Sequence, residues 1–511
     1  MLSKLLYSLA LYIVVLAFHG YTFGENDQIE QLSYSNYLID NSLYISDLYI
    51  QSMAKNVPNE RYSVALLLSF FGKKNLEWAV FLLHFGFSLA LFLGLFNIAK
   101  RYIKQEGWIW IALLVLFLPM YKFNLGGNDL YYNVLLSSNM SKAVGVWAVL
   151  FFLREKYNFF AGLAIVATLL HPLAGLQVFC LCFGAYVINL VFFEKKWNFE
   201  IHKSFVINCL LYILLAGSWL FLLLKNFSAA NISAAEFFEF IQFRAAHHFI
   251  PSAFGQKNYI VMSVLLAFGL YFFYKKEKKV FGIFLTSIIV AILYSIWTEG
   301  FKSPLFFPTQ WFKTTIWLKA FAILAIFSWI SERTFFQFII FFNFINIGKT
   351  LLLSLSLYCF FQLKNPSGRF ANKTYSLPNK NYQSRNDISI TLKIKYLIPK
   401  NAVFVQAASL TSLKFFSEKS SFVDVKANVQ TKDGFKNWYE RVQKVYQLNL
   451  ANRDFSKSLF VQADEKFYQL RENDFLSLKK EGVTHILTKK THQLNFSKIV
   501  ENEEYVVYAI F

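Results

Sequence analysis

The sequence has 511 residues, of which 56% are hydrophobic and 16% are charged, and its mean hydropathy is +0.39. Average soluble domains are roughly 45–50% apolar and about 25% charged. The composition therefore excludes an ordinary soluble protein and predicts a chain whose surface is partly covered by lipid. The net charge of +20 does not indicate a nucleic-acid partner, because many Lys and Arg residues lie in short loops between apolar runs, where they set membrane topology.

The first apolar run follows Lys4 and extends from Leu5 to Tyr21. A signal peptide would also begin with a positive charge followed by an apolar run. No small-x-small cleavage site follows this run, because the next residues are Thr, Phe, Gly and Glu. We therefore expect a retained first span.

Eleven apolar runs are candidates for membrane spans, since a helix of about 20 residues crosses the hydrocarbon layer. They cover residues 5–22, 76–98, 107–122, 139–153, 159–171, 173–193, 204–224, 258–274, 279–297, 312–331 and 334–362. The fifth and sixth runs could instead form one broken or re-entrant element around His171 and Pro172. With Lys4 in the cytoplasm every inner loop is basic, and the odd number of spans places the C-terminus outside. This predicts a multi-pass protein of the cytoplasmic (inner) membrane.

The two longest polar regions are expected to be folded. Loop 23–75 is acidic, and its apolar segment 62–71 is about half the length of a span, so we expect a helix in the outer membrane interface. In the tail, short apolar runs predict strands at 398–407, 483–490 and 505–511, and residues 433–448 have helical spacing. The predicted fold is a polytopic α-helical membrane domain of about 11 spans (1–363) followed by a small extracytoplasmic α/β domain (364–511).

Two groups of polar residues near the outer ends of spans carry carboxylates. Glu25 and Asp27 follow the first span, and either could serve as a general base or as a metal ligand. A solvated loop with ordinary negative charge is the alternative. Asp129 closes the sequence Gly126-Gly127-Asn128-Asp129, where glycines allow a close approach to a ligand. Taken alone, that sequence is more typical of a plain Gly-Asn-Asp turn.

The other candidates are cationic or titratable. Arg244, His247 and His248 crowd one apolar loop and could bind phosphate, although an interfacial belt is the alternative. His171 could belong to a site or could cap a helix break. Gln310 and Lys313 lie at the mouth of the tenth span, where a snorkelling role is also open.

The layout resembles the GT-C fold of polytopic glycosyltransferases, in which a first span and a large acidic outer loop precede many spans and an outer soluble tail. The local sequences HPLAG at 171–175, RAAHHFIP at 244–251 and QWFKTTIWL at 310–318 resemble a bacterial family of GT-C-like membrane proteins, as do the tail segments IPKNAVFV, FVDVKA and WYERV. In that superfamily an acidic residue early in the first outer loop acts at the acceptor or metal. Glu25 and Asp27 match that position, with Asp129 as an acidic residue of the second outer loop. An Asp-x-Asp metal pattern is absent from loop 23–75, so a divalent metal ion is left open.

The resemblance implies transfer of a sugar from a polyprenyl-phosphate donor to an acceptor on the outer face. Asp27, Glu25 or Asp129 would be catalytic. Substrate binding would fall to the remaining candidates, which are Arg244, His247, His248, His171, Gln310 and Lys313. Two rival functions remain open, namely a transporter or flippase of lipid-linked sugars and a non-catalytic envelope scaffold. The implied partners are the lipid-linked sugar and the membrane lipids.

Overall fold

A computed structural model describes residues 2–25, 27–119, 123–194, 199–228, 233–302, 306–333, 344–364, 367–378, 382–427 and 431–510. The chain forms two compact units, each built from three segments. The helical unit comprises Met1–Tyr21, Leu82–Leu220 and Ala245–Thr374. The mixed unit comprises Thr22–Phe81, Phe221–Arg244 and Tyr375–Phe511. The division into a membrane domain (1–363) and a soluble domain (364–511) stays a prediction.

The secondary structure is mostly helical. The α-helices of the described residues are, in chain order, α1 (Leu2–His19), α2 (Gln28–Ile39), α3 (Leu48–Lys55), α4 (Tyr62–Ser69), α5 (Gly72–Ala99), α6 (Glu106–Phe117), α7 (Ser137–Leu153), α8 (Tyr157–Leu170), α9 (Pro172–Phe192), α10 (Phe199–Tyr212), α11 (Ser218–Ser228), α12 (Ala234–Phe249), α13 (Gln256–Lys276), α14 (Lys278–Ser295), α15 (Thr315–Ser331), α16 (Phe344–Lys364), α17 (Asn386–Leu397), α18 (Leu413–Ser417), α19 (Lys432–Tyr446), α20 (Leu459–Phe467) and α21 (Glu472–Lys479). The strands are β1 (Val403–Gln406), β2 (Ser420–Ser421), β3 (His485–Lys489), β4 (Ser497–Glu501) and β5 (Tyr505–Ala509).

Seven helical stretches of the described residues are long and apolar enough to cross a membrane, which supports an integral membrane protein. They are Leu2–His19, Gly72–Ala99, Pro172–Phe192, His202–Asn226, Gln256–Lys276, Lys278–Gly300 and Phe307–Ser331. The predicted count of eleven is not confirmed. The runs at 107–122 and 159–171 correspond to the shorter apolar helices α6 and α8, and the run at 334–362 lies partly outside the described residues.

The chain turns sharply at His171, where α8 ends at Leu170 and α9 begins at Pro172. The two helices pack against each other. A Cβ atom on Gly175 would lie 2.2 Å from the backbone nitrogen of Thr168, so only glycine permits this approach. The structure thus shows two helices that meet at His171, and their separate crossing of the membrane stays a prediction.

The mixed unit contains a five-stranded sheet with the order β2-β1-β3-β5-β4. The first three strands are parallel, and β5 pairs antiparallel with β3 and β4. All residues of β1 and β5 are buried, as expected of strands covered on both faces. The strands predicted at 398–407, 483–490 and 505–511 and the helix predicted at 433–448 are confirmed as β1, β3, β5 and α19.

Loop 23–75 belongs to the same compact unit as the tail. Asp47 caps α3 by accepting the backbone N–H of Ile50 at 3.0 Å. The same carboxylate accepts the N–H of Ser421 at 3.0 Å and pairs with the Lys414 ammonium at 3.1 Å. Asp47 and Lys414 are both buried, so this ion pair ties the loop to the tail. The apolar segment predicted as an interfacial helix is α4, and its depth in the membrane stays a prediction.

Candidate functional site

A buried polar cluster lies in the helical unit between α6, α7 and α15. It consists of Asn124, Asn128, Asp129, Lys142 and Lys319, and we call it the Lys142 cluster. Each of the five residues exposes at most 7% of its surface. Ionisable groups placed this deep in an apolar helical unit are costly and usually mark a functional site.

Lys142 is held by neutral oxygens. Its Nζ donates to Asn128 Oδ1 at 2.7 Å and to the Asp129 carbonyl at 2.5 Å. The ammonium also lies 4.6 Å from the centroid of the Tyr132 ring, a distance suited to a cation–π contact. Among the described residues, no carboxylate oxygen lies within 4.0 Å of this Nζ. The charge of Lys142 is therefore solvated by dipoles and is not cancelled by a direct ion pair.

Asp129 is positioned by its own turn. Its Oδ1 accepts the N–H of Leu130 at 2.7 Å, and its Oδ2 accepts from Asn124 Nδ2 at 3.3 Å. Lys319 Nζ approaches Oδ2 to 3.9 Å, which is long for an ion pair. Lys313 adds a third ammonium within electrostatic reach of Lys142. The cluster thus combines one carboxylate with several cations, an arrangement suited to binding an anion.

Two glycines bring further predicted residues to this cluster. Gly126 and Gly127 have φ values of +73° and +58°, which glycine adopts without strain. A Cβ atom on Gly127 would lie 2.8 Å from the His248 ring, and one on Gly126 would lie 3.0 Å from the backbone nitrogen of Lys313. His248 Nδ1 donates to the Gly126 carbonyl at 2.9 Å, and the His247 and His248 ring centroids are 4.0 Å apart. The structure therefore brings Asp129, both histidines and Lys313 to one loop.

Gln310 and His171 have local structural contacts. Gln177 Nε2 donates to the carbonyls of Thr309 and Gln310 at 2.8 and 3.2 Å, which stabilises the left-handed backbone of Gln310 at φ +41°. In the part of the chain that is described, Gln310 Oε1 is buried with no hydrogen-bond partner. His171 Nδ1 accepts the N–H of Ala174 at 3.2 Å and caps α9. His171 therefore caps the helix break by accepting a backbone N–H of α9.

A second cluster lies in the mixed unit and consists of Asp27, Glu30, Arg61, Arg244 and Lys426; we call it the Asp27 cluster. Asp27 forms an ion pair with Lys426, and Glu30 forms one with Arg61. Arg244 donates to the carbonyls of Val425 and Lys426 at 3.0 and 3.3 Å. Asp27 and Arg244 therefore meet at the same tail segment. The helix α12 loses helical geometry at Ala245 (φ −147°, ψ 32°), directly between Arg244 and the two histidines.

The Asp27 cluster shifts the titration of its carboxylates in opposite directions. Burial alone would raise the pKa of Asp27, but the neighbouring Lys426 ammonium outweighs it and holds that pKa below its usual range. Burial raises the pKa of Glu30 to about 7 in spite of Arg61. Asp27 is therefore the carboxylate of this cluster that is ionised near neutral pH.

Glu25 has a structural environment in the same unit. Its carboxylate receives two hydrogen bonds from the Arg385 guanidinium, at 2.7 and 3.1 Å. Burial raises the pKa of Glu25, and Arg385 opposes that rise. Arg385 also pairs with Asp387 at 2.8 Å. This two-pronged contact fixes the start of the loop against the tail.

Several residues that contact the predicted site residues are not identified from the sequence. Lys142 lies inside the apolar run 139–153, and a lysine near the start of a span is the signal that could have identified it. Lys426 and Arg385 lie about 400 and 360 residues beyond their carboxylate partners, and no local pattern announces those pairs. Within the described residues, no group of three or more His, Cys, Asp or Glu side chains could hold a metal ion.

Comparisons with known proteins add little to the chain's own residues. A family model described as a domain of unknown function, DUF6798, matches residues 387–445. Among curated proteins, none is similar enough in sequence to match. Among solved structures, the crystal structure of ArnT from Cupriavidus metallidurans bound to undecaprenyl phosphate matches with a TM-score of 0.41 and 11% identity, over 99% of this chain and 97% of that chain. A likeness this loose does not bear on function.

Proposed function

We propose that this chain is a membrane glycosyltransferase of the GT-C type that takes its sugar from a polyprenyl-phosphate donor on the outer face of the membrane. The observation that carries the proposal is the buried ammonium of Lys142, which is held by neutral oxygens beside Asp129. Gly127, in the same loop, lies against the rings of His247 and His248. A buried charge without a paired counter-charge is expensive. An anionic ligand supplies that counter-charge, and a lipid phosphate is an anion that reaches a site in a membrane-spanning unit.

The reaction follows from this chemistry. The acceptor oxygen attacks the anomeric carbon of the donor, the bond from that carbon to the phosphate oxygen breaks, and polyprenyl phosphate leaves with the bonding electrons. Lysine ammonium groups stabilise the charge that develops on the departing phosphate. The acceptor proton passes to a carboxylate acting as general base. Asp27, whose pKa is held low by Lys426, stays our first predicted candidate for this base, followed by Asp129 and Glu25. Asp129 belongs to the same unit as Lys142, whereas Asp27 and Glu25 belong to the mixed unit.

Comparing envelope glycans tests the activity directly. We expect mass spectrometry to find a sugar modification in cells that carry the protein and to miss it in cells that lack it. Complementation with the Lys142→Met variant should leave the modification absent, while a Lys257→Met variant, which changes an exposed lysine, should restore it. Identical glycans in all strains would reject the proposal.

The proposed reaction requires the mixed unit to lie outside the cytoplasm, as the positive-inside count predicts. A reporter that is active only in the cytoplasm, fused after Phe511, should stay silent. The same reporter inserted after Lys276, at the end of α13, should be active. Activity of the Phe511 fusion would overturn the topology and with it the outer-face reaction.

A further inference from the structure

The mixed unit contains a polar cavity of about 510 Å³ that the proposed reaction does not use. The cavity lies between the end of α3 and the start of α19, and it reaches Asn226 at the end of the candidate span His202–Asn226. Cavities of roughly 300–1,000 Å³ hold small molecules, but most are lined by apolar and aromatic side chains. Here, among the described lining residues, Ile45 and Leu48 are the large apolar ones and none is aromatic. A nucleobase or a lipid tail would find little surface to contact.

In three amide side chains of the lining, the nitrogen donates a hydrogen bond to a backbone carbonyl. Gln51 Nε2 donates to the Tyr44 carbonyl at 2.9 Å. Asn56 Nδ2 donates to the carbonyl one helical turn earlier at 2.8 Å, and Asn226 Nδ2 donates to the Pro58 carbonyl at 2.9 Å. Because each nitrogen is held by a backbone carbonyl, each amide keeps its oxygen as an acceptor for a further donor. Hydroxyl groups are the donors that fit such a set of neutral oxygens.

The charged residues of the lining make the cavity cationic. Lys55 is exposed at the end of α3. The Arg441 guanidinium is fixed by a 2.7 Å hydrogen bond to the Phe422 carbonyl and lies 4.4 Å from the Phe422 ring centroid. Asp47 is the acidic residue of the described lining, and its carboxylate is fully buried against Lys414. Lys55 and Arg441 therefore line the cavity together. The carboxylates within electrostatic reach of Arg441 are Asp47 and Glu481, and each is paired with a lysine.

We propose that this cavity binds an anionic saccharide, whose hydroxyls are held by the amide oxygens and whose phosphate or carboxylate is held by Lys55 and Arg441. Binding of this kind does not depend on catalysis. The further assignment of the cavity as the place that holds a saccharide acceptor rests on the proposed function.

Calorimetric titration of the full chain in lipid nanodiscs tests the binding. The probes are N-acetylglucosamine 1-phosphate, glucuronic acid, N-acetylglucosamine and inorganic phosphate. We expect at least one of the two anionic sugars to bind tenfold or more tightly than both the neutral sugar and inorganic phosphate. Tighter binding of N-acetylglucosamine 1-phosphate would identify phosphate as the preferred anion, and tighter binding of glucuronic acid would identify carboxylate. Equal binding of inorganic phosphate, or no binding of either anionic sugar, would overturn the proposal.

A matched pair of variants locates the binding site. Lys55→Gln should weaken the anionic sugar about tenfold, while Lys436→Gln, which changes an exposed lysine of α19 outside the lining, should leave the affinity unchanged. Thermal unfolding of both variants checks that they fold. Equal effects of the two changes would remove the cavity from the binding. If anionic sugars do not bind but sugar transfer is normal, the cavity proposal is wrong and the proposed function is unaffected. If sugar transfer is lost but anionic sugars still bind, the proposed function is wrong and the cavity proposal is unaffected.

Discussion

In the Lys142 cluster a buried ammonium is held by an amide oxygen and a backbone carbonyl, whereas in the Asp27 cluster Asp27 and Glu30 each meet a cation in a direct ion pair. The difference lies in how the charges are held. The direct ion pairs of the Asp27 cluster can hold the loop and the tail together. The Lys142 ammonium is held by neutral oxygens, so an added anion improves its electrostatic energy.

The comparison therefore separates two kinds of role. A direct ion pair is sensitive to removal of either partner, because the remaining charge is left buried and unpaired. An ammonium held by neutral oxygens is sensitive to its ligand and tolerates neutralisation of its charge. Substitutions at the two clusters should accordingly affect stability and activity in different proportions.

The largest expected effect comes from Asp27→Asn. Asparagine is nearly the same size but cannot accept the acceptor proton, so turnover should fall by roughly 10²–10⁴. The measurement is sugar transfer by purified protein with the donor that the glycan comparison identifies. Asp40→Asn is the control, because Asp40 lies in the same loop and hydrogen-bonds the exposed Ser42. Wild-type turnover in Asp27→Asn would make the carboxylate a purely structural partner of Lys426 and move the proposed base to Asp129.

Lys142→Met tests the ammonium that neutral oxygens hold. Methionine fills a similar volume without a charge, so binding of a polyprenyl phosphate, the leaving group of the proposed reaction, should weaken by about tenfold to a hundredfold. The thermal unfolding temperature should stay unchanged or rise, because a buried charge is removed. Native mass spectrometry of the full chain measures the binding, with Lys257→Met as the control. A large loss of stability with normal lipid binding would contradict the contrast drawn between the two clusters.

Glu30 predicts how the mixed unit responds to pH. Its folded pKa of about 7 lies above the ordinary value of a glutamate, so the folded state holds a proton that the unfolded state releases between about pH 4.5 and pH 7. Stability should therefore fall as pH rises through this window, by roughly 1–3 kcal/mol. Chemical unfolding at several pH values measures this change, and Glu30→Gln should flatten it. A wild-type stability that rises through the same window would show that Glu30 is ionised in the folded protein.

The smallest effect is expected at Gly127. Alanine there must adopt a left-handed backbone, which costs about 1–2 kcal/mol, and its Cβ would displace the His248 ring. Gly127→Ala should lower the unfolding temperature by a few degrees and weaken polyprenyl phosphate binding. Gly86→Ala is the matched control, since a Cβ atom there meets nothing within 4 Å and α5 gains helix propensity. Equal unfolding temperatures for the two variants would show that the loop conformation is not constrained.

The sequence predicts the regular elements better than the sites. Hydrophobic length identifies the long helices, and short apolar runs locate β1, β3 and β5, because both signals are local. Asp129 and His248 are identifiable as polar residues in apolar surroundings. Their meeting at Gly126 and Gly127 depends on contacts across about 120 residues, which no local pattern encodes.

The ion pairs of the mixed unit show the same limit. Asp47 is one of the acidic residues of loop 23–75, and the structure shows that it caps α3 and pairs with Lys414. Glu25 is predicted as a general base or metal ligand, and its contact with Arg385 is not visible in the sequence. Burial and partner identity decide these roles, and both are properties of the folded chain.

The discontinuous mixed unit also has a consequence for biogenesis. Asp47 and Lys414 are 367 residues apart in the chain, so at a synthesis rate of about 5–20 residues per second the aspartate waits roughly 20–70 s for its partner. During that interval loop 23–75 exists without the strands that complete its unit. The nascent loop must therefore persist as an incomplete subdomain until the segment that contains Lys414 has been synthesised.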